Sequence, residues 1–279
     1  NQGARLYDYL PISDTIVTNQ QKDFLYKRCT ALNELMENLI KAEHPEGGSY
    51  NLIIDYGLAK GLAHEAFGHA AESDGMINSI LSKDKKLNKG MTFNNPNLNI
   101  IDESIDNDWA YTPFSANGLK REKVEIVKNG ILNECLTDIF SYKQANSILS
   151  GEARCESYDS IPRPRMSNTR IELNNYIDTD LDYYDITPEK IYNIVLENNI
   201  FMEDEPIYYL SGYKGGQVDT VKGTYVFNCA VIYKLHNKKV ELYKPAIFSG
   251  DTLETLKSIK CGIGKLKLDA PGFCGKAGQ

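Results

Sequence analysis

No apolar run in this sequence approaches the roughly 20 residues that a membrane-spanning helix needs, so no membrane partner is expected. A basic stripe is missing too: 31 Lys and Arg stand against 38 Asp and Glu, a net charge of −7, which argues against nucleic acid as a partner. The densest positive run, Lys83, Lys85, Lys86 and Lys89, is broken by Asp84 and Asn88 and reads as a solvated loop. Six cysteines (Cys29, Cys135, Cys155, Cys229, Cys261, Cys274) include no CxxC pair, which argues against a zinc ribbon or a dense disulfide framework and fits a reducing, cytoplasmic compartment. No signal peptide opens the sequence, which begins at Asn1 rather than Met. With 279 residues, 42% of them hydrophobic, there is enough to bury the core of one large domain or two closely packed ones.

Histidine is scarce, and two of the four fall in one short stretch, His64-Glu65-Ala66-Phe67-Gly68-His69. Neutral imidazoles bind Zn²⁺, and a carboxylate outside the coordination shell can take the proton of an attacking water, so His64 and His69 are candidate ligands and Glu65 the candidate base. The spacing is i, i+5 rather than the i, i+4 of the familiar zinc helix, which on a regular helix leaves the two rings roughly 140° apart. A single π-bulge would restore convergence, and Gly68 eases local rewinding, so a distorted helix is expected. Leu58, Leu62, Ala63, Ala66, Phe67 and Ala70 make that helix apolar and buried, where unpaired histidine and glutamate are costly. Spacing leaves the third ligand open among Glu72, Asp74 and the distant thiols. Cys274 stands out because Gly272-Phe273-Cys274-Gly275-Lys276 surrounds it with small residues.

Around the motif, residues 19 to 43 carry apolar side chains at helical spacing, and Pro45-Glu46-Gly47-Gly48 stops that helix. A short strand, Tyr50 to Asp55, leads into the motif. Residues 84 to 99, rich in Lys, Asn and Gly, read as a long loop able to act as a lid. Asn129-Gly130 joins Lys123–Val127 to Ile131–Leu136 as a hairpin, and Thr224–Leu235 pairs with Val240–Tyr243 across residues 236–239. Thr187-Pro188 opens a helix to about Glu197, and Asp251 with Glu254 caps another ending near Ile259. The expected class is α+β, a largely antiparallel, barrel-like domain with a distorted HExxxH helix and a few short flanking helices.

The motif with Glu72 and Asp74 resembles the HEAxGH…ExD signature of the TldD/PmbA family, zinc peptidases once described as modulators of DNA gyrase. Glu156-Ser157-Tyr158 with Pro162 to Thr169 resembles the family's ESY…PxPRMTNT segment, Gly215 to Asp219 its GGQVD, and Cys274 to Gln279 its CGKxGQ. The resemblance implies that Cys274 is the third zinc ligand, with Glu72 and Asp74 beside the site or as alternative ligands. It implies a homodimer or a heterodimer with a sister subunit around an enclosed chamber, acting on unfolded peptides, and it likens this chain to the catalytic TldD-type subunit. It divides the chain into an N-terminal helical or linker segment, residues 1–48, and a C-terminal metallopeptidase domain, residues 49–279. The family's N-terminal domain and a short β segment beyond CGKxGQ are not in the sequence, so a clipped or shortened chain is expected. One departure stands out: Val231 occupies the place of an acidic residue.

Arg165 and Asn168, after prolines that hold the backbone extended, are candidates to hydrogen-bond a peptide along a sheet edge; the alternative is a structural loop stapled by Arg165. Gly216 and Gln217 join them as candidate substrate-binding residues, although Gly215-Gly216 also suits a tight turn. The expected function is a zinc-dependent peptidase for unfolded or small polypeptides. Its rivals are a non-hydrolytic peptide- or partner-binding subunit with a structural or vestigial metal site, which the Val231 departure favours, and a thiol hydrolase with Cys274 as nucleophile.

Overall fold

The computed structural model describes residues 18–106, 108, 110–181, 186–266 and 274–276. The expectations placed on residues 1–17, Gly272-Phe273 and Ala277-Gly278-Gln279 lie outside the described residues. The class is α+β with mostly antiparallel sheets. The first helix, α1 (Asn19–Lys41), starts at a capping box: the Thr18 hydroxyl accepts from the Gln21 N–H, and the Gln21 side chain accepts from the Thr18 N–H. Ala42 turns extended and ends it ahead of Pro45. Strand β1 (Asn51–Ile54) follows and delivers Asp55, whose carboxylate accepts from the Leu58 N–H and caps α2 (Tyr56–Gly61).

A small hairpin, β2 (Ser82–Lys83) with β3 (Lys86–Leu87), turns through Asp84 and Lys85 in the left-handed region. The rest of segment 84–99 is no lid. The Gly90 N–H donates to the Leu132 carbonyl, Phe93 is buried with its N–H on Gly130, and the Asn95 amide reaches the carbonyls of Leu256 and Ile259. Asn95, which reads as a loop residue, serves here as a donor to distant backbone. Next come β4 (Leu98–Glu103), β5 (Val124–Lys128), β6 (Ile131–Leu132) and the short α3 (Tyr142–Ala145). The turn between β5 and β6 is the expected one, with Asn129 and Gly130 at φ 48° and 73° as a two-residue hairpin turn needs. A pair, β7 (Ala153–Arg154) and β8 (Arg163–Pro164), precedes β9 (Asn168–Leu173), which completes an antiparallel sheet in the order β6-β5-β4-β9.

Beyond β10 (Tyr176–Ile177) lies α4 (Pro188–Glu197), capped by Thr187 with Pro188 in its first turn. Two long strands, β11 (Ile207–Asp219) and β12 (Thr224–His236), join β13 (Lys239–Tyr243) and β14 (Ile247–Asp251). Within this sheet β1 runs parallel to β11, and the β12–β13 hairpin closes tighter than expected: His236 pairs with Lys239, leaving Asn237 and Lys238 as the turn. Then α5 (Thr252–Ser258), capped by Asp251, leads to β15 (Gly262–Ile263), which pairs with β10. The described strands fall into separate sheets, and no closed barrel forms among them.

These elements group into two compact units. One takes residues up to Leu58 with Ile186–Lys214 and Asn228–Phe248; the other takes Ala59–Asp185, Gly215–Phe227 and the residues from Ser249 on. Val231 belongs to the first unit, buried in a cluster with Leu39 and Ala230 against which Leu35, Tyr233 and Leu242 pack. An acidic side chain there would lose its hydration among apolar groups, so valine at this position is a core residue.

Candidate metal centre

The second unit holds His64, Glu65, His69, Glu72, Asp74 and Cys274. After α2 the chain widens into a π-helix over Leu62–Phe67 and then tightens into a 3₁₀ turn over Gly68–Ala71. The Gly68 N–H bonds back to the carbonyls of both Ala63 and His64, and the five-residue reach of the first bond puts residues five apart on one face. His64 and His69 converge as the i, i+5 spacing requires, with ring centroids 4.9 Å apart and planes at 81°. Glycine at 68 makes room: a Cβ there would overlap the Met166 sulfur, so that side chain would have to move, and would crowd the Ala63 carbonyl. An irregular winding leaves carbonyls without helical partners, and the rest of the unit supplies them. The Thr252 hydroxyl donates to Ala66 O at 3.0 Å, the Ser79 hydroxyl to Ala70 O at 2.6 Å, and the Leu136 N–H to Ala71 O at 2.9 Å.

One ligand atom each from His64, Glu65, His69 and Cys274 lies within 4.8 Å of the others. Cys274 Sγ is 3.2 Å from His69 Nε2, and the Glu65 carboxylate is 3.7 Å from His69 Nε2 and 4.0 Å from His64 Nε2. The far side of the His69 ring is also fixed, since Nδ1 is 3.1 Å from Glu72 Oε2. Nε2 therefore faces the other donors while a buried carboxylate holds Nδ1, the arrangement that sets tautomer and ring orientation in metal-binding histidines. Burial opposes a charge on His69, but its hydrogen bonds with Cys274 and Glu72 outweigh that and raise its pKa to about 9. Hydrogen bonds from His64 and His69 bring the Cys274 thiol down to about 5. Burial pushes Glu72 up, yet His69, Lys276 and Arg165 together hold it below its ordinary range. The metal-free centre is thus a thiolate beside an imidazolium. Two imidazole nitrogens, one thiolate and one nearby carboxylate in a half-buried cluster are a donor set that suits zinc.

Glu72 does not join that cluster. Its carboxylate, 1% exposed, takes Lys276 Nζ at 2.7 Å and lies 3.7 Å from the Arg165 guanidinium. Asp74 also accepts from Lys276, at 2.6 Å, and sits 3.7 Å from Arg163. Arg165 is buried and donates to the Cys274 carbonyl at 2.5 Å, with Arg154 behind it at 3.4 Å. Beneath them, Arg121 bridges the buried Glu152 and the Arg165 carbonyl. Asn168 donates to Asp108 at the head of β9. On β11, Gly216 lies where a Cβ would meet the Phe227 ring and the Val226 carbonyl, and Gln217 is exposed. Two residues that sequence reasoning passed over matter here. Lys276 was visible only as part of a motif block, and buried Asp102 accepts from the Ser167 N–H and hydroxyl and the Thr169 hydroxyl, a role with no signal beyond the Ser167–Thr169 alternation.

Comparison with known proteins adds a second line of observation. The family described as PmbA/TldA metallopeptidase C-terminal domain matches residues 47–271. A metalloprotease of Archaeoglobus fulgidus is 32% identical over 247 residues, 88% of this chain and 52% of that protein. A zinc metalloprotease TldD homolog of Saccharolobus solfataricus is 29% identical over 89% of this chain and 51% of its own length. The chain spans about half the length of these relatives. Among solved structures, TldE from Thermococcus kodakarensis superposes with a TM-score of 0.56 over 81% of this chain and 48% of its own, at 15% identity, a likeness of fold alone. No helix among the described residues is long and apolar enough to cross a membrane.

Proposed function

Because the chain belongs to the PmbA/TldD metallopeptidase family, we propose that it carries the catalytic centre of a zinc-dependent peptidase. His64, His69 and Cys274 hold the metal, and Glu65 is the base. The observation that carries this assignment is the convergence of those four side chains from two places far apart in the sequence. Bound zinc supplies a Lewis acid that acidifies water to a pKa of about 7 and polarises a peptide carbonyl. Glu65, within 4.0 Å of both imidazoles, accepts the proton of the attacking water and returns it to the departing amine. Glu72 keeps His69 in the tautomer that leaves Nε2 free to bind.

The substrates we propose are unfolded or small polypeptides, for which Arg165, Asn168, Gly216 and Gln217 remain the residues to test, with Arg165 and Asn168 already engaged within the protein. The partner we propose is a second copy or a sister subunit of the TldE kind, and the compartment is the reducing cytoplasm, which suits six free thiols. A binding subunit without hydrolysis draws less support, since Val231, the departure that favoured it, is a core residue of the first unit.

The test is hydrolysis of an unstructured peptide by the full-length, zinc-loaded protein, beside its Glu65→Gln variant and a chelated control. Cleavage falls by at least about 10²-fold in Glu65→Gln while zinc stays bound. A variant that cuts at the wild-type rate would remove Glu65 from the chemistry, and cleavage surviving chelation would remove the metal.

A further inference from the structure

Cys274 stands 205 residues beyond His69, and a ligand brought from that distance needs something to seat it. The described C-terminal residues, 274–276, are held by side chains on three separate elements. Lys276 Nζ donates to Glu72 Oε2 at 2.7 Å and to Asp74 Oδ1 at 2.6 Å, while Arg165 and Arg154 donate to the Cys274 carbonyl. The lysine contact is not an ordinary surface pair, because Glu72 is 1% exposed and Lys276 only 24%. Screening by water, which leaves exposed pairs nearly worthless, is weak here. The oxygen that Lys276 takes on Glu72 is the same Oε2 that faces His69 Nδ1. One carboxylate oxygen therefore connects the seating of the thiol ligand to the orientation of an imidazole ligand.

We propose that Lys276 is a positioning residue that clips the C-terminal segment onto Glu72 and Asp74, so that docking of Cys274, orientation of His69 and capture of the metal occur together. The proposal rests on the metal-site assignment above. With the clip closed, the thiol arrives at an imidazole already aimed; with it open, the histidines are left to bind a metal without the thiolate.

Cobalt(II) tests this without any activity assay, because a thiolate ligand to cobalt gives a near-ultraviolet charge-transfer band. Full-length wild-type protein takes up cobalt with that band, and Cys274→Ser lacks it. Lys276→Met weakens cobalt binding about 10–100-fold and loses the band at cobalt levels that saturate the wild type. Lys276→Arg, which keeps the charge, retains most of the band, and Asp74→Asn shows an intermediate loss. Lys257→Met, at an exposed lysine paired with Glu254, changes nothing. Amide exchange of the peptide bearing Cys274–Lys276, followed in metal-free protein, is faster in Lys276→Met than in wild type. Wild-type cobalt affinity with an undiminished band in Lys276→Met overturns the proposal, as does equal exchange in the two proteins. If wild-type protein takes up no cobalt while exchange still depends on Lys276, the metal assignment fails and the clip stands.

Discussion

Two helical stretches of this chain obey different rules. Helix α1 runs regularly for 23 residues, closes its own start through Thr18 and Gln21, and buries only Leu39. The stretch from Tyr56 to Ala71 changes winding twice, from α to π to 3₁₀, and is buried along most of its length. The first satisfies its terminal groups with residues three or four positions away. The second depends on Thr252, Ser79 and Leu136, whose hydroxyl and N–H groups donate to the carbonyls that irregular winding leaves over. A helix can thus adopt the shape a metal centre requires when other parts of the fold take over its backbone accounting.

The sharpest difference concerns protons. In the metal-free protein His69 keeps its proton up to about pH 9, whereas the Cys274 thiol has lost its own above about 5. Metal binding must displace the His69 proton, so between pH 6 and 9 zinc affinity rises about tenfold per unit, about a thousandfold in all. Competition titration against a chelator of known affinity measures it, and calorimetry in buffers of different ionisation enthalpy counts one proton released. A flat profile would mean that the imidazolium–thiolate pair does not form. The thermal stability of α1, capped by uncharged Thr18 and Gln21, shows no such dependence through its cap.

A mutation to the irregular stretch comes next in size. Thr252→Val is nearly isosteric and fully buried but strands the Ala66 carbonyl, also buried, at a cost of about 1–3 kcal/mol in urea unfolding. Zinc affinity falls with it, because the π-helix that aligns His64 and His69 is what the hydroxyl supports. An unchanged affinity would show that the winding is set by the local sequence. The smallest effect belongs to the regular helix: Thr18→Ala loses about 1 kcal/mol and leaves zinc affinity untouched. A change in zinc binding on removing that cap would erase the contrast between the two helices.

Legibility in the sequence followed the same division. The helix expected over residues 19 to 43 and found as Asn19–Lys41, the Asn129-Gly130 turn, the Thr187 cap with Pro188 and the Asp251 cap each rest on contacts a few residues apart, which a local pattern can show. Even the distortion of the motif helix was readable, because five-residue spacing of two ligands is incompatible with regular winding. The pinned segment 84–99 was not, since Asn95 finds its acceptors more than 160 residues on, and the β12–β13 hairpin was legible but with a turn two residues too wide. Arg165 and Asn168 were legible as polar residues on an extended segment. Their partners, the Cys274 carbonyl and Asp108, were not.

The sequence by itself determined the donor types, the unusual spacing that demands a widened turn, and the glycine at 68 that eases the rewinding. Tertiary structure alone decided how that turn is held and which side chain works with which. Thr252 answers Ala66 across 186 residues, and Lys276 answers Glu72 across 204. The physical reason is burial: a carbonyl or carboxylate removed from water requires a partner, and the fold, not the neighbouring residues, determines which one is within reach.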